Sequence, residues 1–443
     1  MKTHDLEKEN IFKLFFDYAI PAMIGIGVFS LYSFVDAVFV SNACGESALA
    51  AVEICAPVLS IFSCFSVIIG VGGNTLVGIE LGKKDNNKAC GIFSLASFLI
   101  IILSLIFSVL LVAFTRPVAY LLGADESVVD YVCDYLSLCG WFAPFYMLSG
   151  FWGLSSETAG KPAFAMLGNI VMALGNIALD YIFVMILNLG VFGASLASGI
   201  SALLATLIFL IGITGKSSVL KFTKFRFDFS VIKQMLFNGF SDGLTAASGG
   251  IISFIYNTII MNNGGGEALA CYTVTLTVVN FIGSVIIGAA QGINPIVSVN
   301  FGAKRLDRIK KAVRIFLGSE TVIAIITAII FIALHSDILE LFGSENGELS
   351  WTISKAYVPV FLLTPWCAII ISVFTAINDA KTSAVLALLR SLIIRAVIVV
   401  AAYYIFGLNG VWYSCVVSEF ISVIICLAAL SKKWRSEWNA FEV

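Results

Sequence analysis

The sequence predicts an all-α polytopic membrane protein with twelve transmembrane helices in two pseudo-symmetric six-helix bundles. Three observations support this fold class: an apolar composition, twelve long apolar stretches and a repeat at one constant offset. Of the 443 residues, 59% are hydrophobic and 12% are charged. With 37 Gly added and 13 Tyr removed, the apolar share is about 64%, against roughly 45–50% in soluble domains. So few charges exclude a soluble globular protein.

The apolar stretches have the length of membrane-spanning helices, which need about 20 mainly apolar residues to cross the hydrocarbon. Polar or Gly/Pro-containing breaks separate them. The twelve predicted helices lie near residues 14–40, 49–78, 91–114, 130–156, 163–187, 190–214, 233–261, 268–297, 312–334, 351–377, 383–406 and 410–430. The first six form a predicted N-terminal lobe, residues 1–220, and the linker and last six form a C-terminal lobe, residues 221–443.

The distribution of Lys and Arg predicts which side of the membrane each loop faces. If both termini are cytoplasmic, 22 of the 26 basic residues fall in inner segments. The outer loops instead carry acidic residues such as Asp125, Glu126 and Asp337. This asymmetry follows the positive-inside rule. We therefore predict a multi-pass protein of the plasma (cytoplasmic) membrane with both termini in the cytoplasm.

Composition also excludes several kinds of activity. A net charge of -2 provides no basic field for nucleic acid. Two histidines and ten cysteines without zinc spacing do not predict a catalytic metal. No nucleophile–base pair stands out, so we predict no enzyme and no cofactor other than Na⁺ or H⁺ as a coupling ion. The expected partners are small amphipathic molecules and the lipid bilayer, and we expect a monomer.

The two halves of the chain repeat at an offset of 220 residues. The motif Gly-x-x-Ala-Leu-Ala begins at Gly45 and again at Gly265, and Gly72-x-Asn74 matches Gly292-x-Asn294. Gly82-x-Lys84 likewise matches Gly302-x-Lys304. Because each half has six helices, an even number, both halves enter the membrane from the same side. The sequence therefore predicts lobes related by an axis along the membrane normal, with a cleft between them.

Ionisable residues inside the predicted helices are candidate functional groups, because burying a charge in hydrocarbon costs several kcal/mol. At 1.5 Å per residue, Asp36 and Asp180 both lie in the outer half of the membrane. Asn176 is one helical turn before Asp180, and Ser198 lies at a similar depth. These oxygens can bind Na⁺, or the two acids can share a proton. Two separately satisfied acids facing a vestibule remain the alternative.

The cluster belongs to the first half only, since Asp36 is matched by Tyr256 and Asp180 by Val400 at the repeat offset. In the second half, Arg395 and Glu419 lie at similar depths, and we interpret them as a neutralising structural ion pair.

Two other ionisable residues are weaker candidates for a functional role. Arg390 lies nearer the cytoplasm, from which it can reach the interface. Glu320 lies near a predicted helix end and is discounted for the same reason.

Two further features are candidates for movement and substrate contact. Pro21 removes a backbone hydrogen bond inside the first helix and predicts a kink, either a hinge or a passive bend. Asp242 is compatible with an N-cap, a vestibule or a substrate contact. The candidate residues of a substrate cavity are Tyr256, Asn257, Asn280, Gln291 and Asp242.

An ordered set of motifs carries a family resemblance. It comprises Pro21 with Asp36, the motif at Gly45, Glu157-Thr158-Ala159-Gly160-Lys161-Pro162, Gly175-Asn176-Ile177-Ala178-Leu179-Asp180-Tyr181 and Gly190-Val191-Phe192-Gly193-Ala194-Ser195. Over nearly its whole length the sequence resembles the multidrug and toxic compound extrusion (MATE) family. The resemblance implies two six-helix lobes and export of amphipathic, often cationic, compounds in exchange for Na⁺ or H⁺.

The resemblance also implies roles for single residues. Asp36, Asn176 and Asp180 match the family's cation-site positions, and Pro21 matches its bending proline. Ser198 stands where Thr is common, a departure that keeps the hydroxyl. One branch of the family has an acid in the middle of helix seven, but here Ser248-Gly249-Gly250 occupies that region, so this second-lobe acid site is not expected.

The sequence therefore predicts a cation-coupled antiporter that works by alternating access. A lipid-linked precursor flippase of the same superfamily is the first alternative, because it would share the fold. A membrane enzyme would need a catalytic constellation, and a channel is disfavoured by a duplicated chain with one asymmetric site.

Overall fold

The computed structural model describes residues 3–44, 46–215, 218–341 and 347–436, and these residues form helices and turns without a strand. The helices are α1 Ile11–Cys44, α2 Glu46–Gly82, α3 Asn86–Ala113, α4 Thr115–Leu121, α5 Val129–Thr158, α6 Pro162–Asp180, α7 Gly190–Thr214, α8 Phe229–Gln291, α9 Ile293–Gly302, α10 Leu306–Leu341, α11 Gly347–Ala376, α12 Ala380–Leu388 and α13 Ile394–Ser436. Single π-helical turns at Tyr181–Ile186 and Leu389–Ile393 follow α6 and α12. Gly45, the first motif glycine, lies outside the described residues.

Within the described ranges, nine helical spans are long and apolar enough to cross a membrane. Two of them, Phe229–Gly302 and Ala380–Arg435, have 74 and 56 residues, far more than one crossing needs. Each contains a glycine with positive φ, Gly265 (74°) and Gly407 (62°), where the helix breaks. The all-α, multi-pass membrane fold is confirmed, while the count of twelve crossings stays a prediction.

The chain divides into two compact units. The first comprises Met1–Asp5 and Ile24–Gly239, and the second comprises Leu6–Met23 and Phe240–Val443. Each unit therefore contains the first turns of a helix that continues in the other unit, since the divisions fall inside α1 and α8. The predicted lobes, residues 1–220 and 221–443, follow the sequence repeat and not these contacts, and they stay a prediction.

In the first unit the core surrounds α5, which packs against α2, α3, α6 and α7. Small residues allow this packing, as expected where helices associate in lipid. A Cβ at Gly199 on α7 would lie 2.3 Å from Cδ2 of Phe142 on α5. In the second unit α11 has the corresponding position and packs against α9, α10, α12 and α13.

The turns after α2 and α9 show the repeat at atomic detail. Lys84 (φ 64°) and Lys304 (φ 57°) both have left-handed backbone. In each turn the next amide closes a six-residue ring: Asp85 N–H donates to the Glu80 carbonyl (3.0 Å) and Arg305 N–H to the Asn300 carbonyl (2.9 Å). The same offset of 220 therefore relates backbone conformation as well as residue identity.

The side chains beside these turns correspond as well. Lys88 donates from Nζ to Oε1 of Glu80 at 3.1 Å, and Arg308 donates from Nε to Oδ1 of Asn300 at 2.9 Å. Arg308 also donates to the carbonyls of Leu6 and Glu9. The second unit uses the equivalent cation to hold the segment that precedes α1.

We expect Lys84→Gly and Lys304→Gly each to stabilise the protein by about 0.5–1 kcal/mol, because a left-handed residue with a Cβ costs roughly 1–2 kcal/mol, partly offset by the larger unfolded-state entropy of Gly. The measurement is the unfolding temperature of the detergent-purified protein. Ala303→Gly is the control, since Ala303 has φ -77° and should lose stability. A lower unfolding temperature in the two lysine variants would contradict the left-handed backbone at these positions.

A close crossing of backbones joins α2 to the first turns of α8 within the first unit. A Cβ on Gly72 would lie 1.9 Å from the Met235 carbonyl oxygen, and a Cβ on Gly239 would lie 1.8 Å from the Ile68 carbonyl oxygen. Neither position has room for a side chain. Gly72 belongs to the repeated Gly-x-Asn motif, so the repeated glycine has a packing reason.

Gly72→Ala should lower stability by about 1–3 kcal/mol or more, because the clash is with backbone and no side chain can move aside. Gly91→Ala provides the matched control, since no atom lies within 4 Å of the added Cβ, and Ala is favoured over Gly in a helix by about 0.5–1 kcal/mol. The measurement is the unfolding temperature of each variant, which should be lower for Gly72→Ala than for Gly91→Ala. Equal unfolding temperatures would show that the two helices can separate without cost.

Candidate functional site

The polar residues predicted on the fifth and sixth membrane helices come together in the first unit. Asn176 and Asp180 lie one turn apart on α6, and both are fully buried. α6 packs along α7, which carries Ser198. The Asn176 side chain donates from Nδ2 to Oγ of Ser198 at 2.9 Å. The amide group is thereby oriented, with its oxygen left free to accept.

Asp36 on α1 joins this group. Its carboxyl group lies close enough to the carboxyl group of Asp180 for the two to share a proton. Two carboxylates in contact repel each other unless a proton or a cation lies between them. The structure therefore brings together all four residues of the predicted cation site: Asp36, Asn176, Asp180 and Ser198.

Several oxygens of this cluster lack a donor. Asp36 Oδ1, Asn176 Oδ1 and both carboxylate oxygens of Asp180 are buried without a donated hydrogen bond from the described part of the chain. Buried polar atoms nearly always have partners, and each unsatisfied one costs about 1–3 kcal/mol. Carboxylate and amide oxygens are the ligands that hard cations prefer. The cluster can hold a small cation, or a proton between the acids.

The helix beside the cluster is irregular. A π-helical turn, Tyr181–Ile186, begins directly after Asp180, and such turns occur frequently at functional sites. Sequence reasoning missed this feature because an apolar run with this composition predicts an ordinary helix.

Pro21 lies inside α1, two residues before the point where α1 passes from the second compact unit to the first. A proline cannot donate the helical hydrogen bond at this position. The hinge role of Pro21 stays a prediction.

The second unit contains a buried cluster of three charges. Glu419, fully buried, accepts from Nε of Arg390 at 3.0 Å and from Nη2 of Arg395. The predicted ion pair between Arg395 and Glu419 is present. The expectation that Arg390 reaches the interface is wrong, because Arg390 binds the same carboxylate. Two guanidinium groups share one carboxylate, so the cluster has one positive charge in excess.

The physical reason is the π-helical turn Leu389–Ile393. In an α-helix, residues five apart are about 140° apart around the axis. A π-helical turn has hydrogen bonds between residues i and i+5, which moves such residues towards one face. Arg390 and Arg395 can therefore reach the same carboxylate on α13.

A cavity of about 420 Å³ lies inside the second unit beside these arginines. Of the predicted cavity residues, Tyr256 and Asn280 line it. Asn257, Gln291 and Asp242 are not among its lining residues. Asn257 is turned about 100° from Tyr256 around the helix and is exposed elsewhere.

Other residues of this region were missed or underrated from the sequence. Tyr272 and Tyr357, from α8 and α11, line the cavity; they are separated by many residues and carry no local motif. The sequence places Glu320 near a helix end, but the residue is fully buried, and neither of its carboxylate oxygens has a donor among the described residues.

Two units built on one repeat, with ionisable side chains buried among membrane-spanning helices, define the architecture of a polytopic transporter. The MatE family model matches residues 21–182 and 247–403. The chain belongs to the MatE family.

Curated relatives match almost end to end. The multidrug export protein MepA of Staphylococcus haemolyticus is 26% identical over 426 residues, which covers 95% of this chain and 93% of that protein. MepA of Staphylococcus aureus (strain N315) is 25% identical over 430 residues, with coverage of 95% and 94%.

Solved structures show the same fold. A crystal structure of MATE in complex with MaL6 has a TM-score of 0.92 at 21% identity, covering 100% of this chain and 99% of that one. The outward-facing conformation of a multidrug resistance MATE family transporter of the MOP superfamily has a TM-score of 0.91 at 21% identity and full coverage of both chains.

Asp180→Asn should raise the unfolding temperature at pH 8 in Na⁺-free buffer. The substitution removes one of two contacting buried carboxylates, whose repulsion and unsatisfied oxygens oppose folding. The matched control is Glu80→Gln, because Glu80 accepts from Lys83 and Lys88, and that variant should not gain stability. If Asp180→Asn unfolded at a lower temperature, the carboxylate would be structural.

Proposed function

We propose that this protein is a cation-coupled antiporter that exports amphipathic, often cationic, drugs or toxic compounds in exchange for Na⁺ or H⁺. The observation that supports this proposal most is the contact between Asp36 and Asp180. The unsatisfied oxygens beside it provide a reason for a cation to bind there. A purely structural pair of acids would be expected to have donors.

The relatives support the substrate class. They are named multidrug export proteins and share about a quarter of their residues with this chain over nearly its whole length. Export of several drugs is therefore favoured over flipping of a lipid-linked precursor. By the positive-inside rule, we place the protein in the cytoplasmic membrane with both termini inside, and we propose a monomer.

Coupling follows from the charge of the site. When a cation or a proton enters between Asp36 and Asp180, the repulsion between the two carboxylates falls, and α1 can move relative to α6. A change in α1 at Pro21 would connect ion binding to the conformation of the transporter. In alternating access, the ion site and the drug site are exposed first to one side of the membrane and then to the other.

Exchange requires that binding of the ion weakens binding of the drug. A coupling free energy of roughly 1–3 kcal/mol, or about 5- to 150-fold in affinity, is typical, and thermodynamic linkage makes it reciprocal. The drug should weaken ion binding by the same factor as the ion weakens drug binding.

The experiment is export of ethidium from proteoliposomes under an imposed Na⁺ gradient or an imposed pH gradient, each applied alone. Wild type is expected to respond to one gradient, which identifies the ion. Asp36→Asn and Asp180→Asn should lose gradient-driven export, because an amide can neither carry the charge nor share the proton.

The matched control is Asp130→Asn, an exposed acid paired with Arg116 at 3.2 Å, which should export normally. Full export by both site variants would overturn the site assignment. The absence of export under either gradient for wild type would overturn the proposed function.

A further inference from the structure

The two arginines of the second unit have more hydrogen-bond donors than Glu419 can accept from. Each guanidinium group has five N–H donors. Within the described residues, Arg390 and Arg395 donate to Glu419 alone. Nε of Arg395 is buried and has no partner there. The two arginines therefore have more hydrogen-bonding capacity than their one carboxylate uses.

The arginines face the cavity, and the carboxylate does not. Both Arg390 and Arg395 line the cavity of about 420 Å³, and Glu419 is not part of its wall. The side chain of Arg395 is 29% exposed, whereas that of Glu419 is 0% exposed. A molecule in this cavity therefore meets guanidinium groups, with the single compensating charge behind them.

The excess positive charge of the cluster is energetically unfavourable inside the second unit. Two cations against one anion leave one positive charge, and an uncompensated buried charge is strongly unfavourable. Among the lining residues of the cavity, Arg390 and Arg395 are the charged ones, and the others are apolar, hydroxyl, thiol or amide side chains. A negative charge from a bound molecule would balance the cluster.

The rest of the cavity wall can accommodate the aromatic rings of a small molecule. Tyr256 and Tyr272 stack with ring centroids 5.7 Å apart and an interplanar angle of 3°. Tyr357 also lines the cavity, and its hydroxyl donates to that of Tyr272 at 3.4 Å. Asn280 adds an amide group at the wall. A volume of this size and an apolar, aromatic lining are typical of sites for small organic molecules.

We propose that this cavity binds an aromatic molecule through its carboxylate, with Arg395 and Arg390 as donors to that carboxylate and the tyrosines beside its rings. The inference rests on the proposed function and deepens it, because it assigns a binding site for a carboxylate group to the second unit. Guanidinium groups bind carboxylates well, since their planar donors match the two oxygens. Arg395 is the principal donor, because its side chain is 29% exposed and that of Arg390 only 13%.

The test compares two probes that differ only in charge: 2-naphthylacetate and its methyl ester. Binding to the purified full chain in nanodiscs is measured by calorimetry at pH 7.5, without any gradient. Wild type should bind the acid at least about tenfold more tightly than the ester, the size expected for a hydrogen bond to a charged group.

Two variants of one residue separate charge from shape. Arg395→Gln should lose most of the preference for the acid and bind the ester as wild type does, because Arg390 remains in the cavity wall as the weaker donor. This variant leaves Arg390 and Glu419 as a balanced pair, so it should fold. Arg395→Lys keeps the charge and should retain a preference for the acid, although a smaller one, since Lys lacks the bidentate geometry.

Equal binding of acid and ester by wild type would overturn the proposal. An undiminished preference for the acid in Arg395→Gln, or no binding of either probe at millimolar concentration, would overturn it as well. These results are distinct from a failure of the proposed function. Loss of ethidium export under both gradients with acid binding intact would overturn antiport and leave the anion site, and the reverse pattern would overturn only the anion site.

Discussion

Ionisable side chains buried among membrane-spanning helices have no water to satisfy them, and the two compact units meet this constraint with opposite charges. In the first unit two acids, Asp36 and Asp180, lie in contact beside oxygens that lack donors. In the second unit two arginines share one buried carboxylate, Glu419. Neither arrangement is balanced by its own groups. The two proposals supply the missing charges, namely a cation in the first unit and a carboxylate in the second.

One repeated scaffold supports both arrangements. The turns at Lys84 and Lys304 have the same left-handed backbone, and α5 and α11 hold corresponding central positions. The charged residues do not follow the repeat, since Asp180 is matched by Val400. A duplicated framework with two different charge clusters separates the requirement for packing, which both units share, from the requirement for chemistry, which they do not.

Departures from regular helix geometry accompany both clusters. One π-helical turn begins after Asp180, and the other contains Arg390. An extra residue in a turn changes which side chains share a face, so it can direct a polar group inward without a break in the helix. Glycines have a different use: Gly265 and Gly407 permit left-handed backbone where long helical stretches break, and Gly72 permits contact between two backbones.

Sequence alone determined the membrane class, the offset of the repeat and the acids of the first unit. It could do so because each follows from local quantities, namely hydropathy, spacing and residue type, and because an acid inside an apolar run is conspicuous. Only the tertiary structure decided that Asp36 touches Asp180, that Arg390 and Arg395 converge on Glu419, and that tyrosines from α8 and α11 line one cavity. Those facts depend on contacts between distant segments and on a π-helical turn, and the hydrophobic pattern of a single helix contains neither.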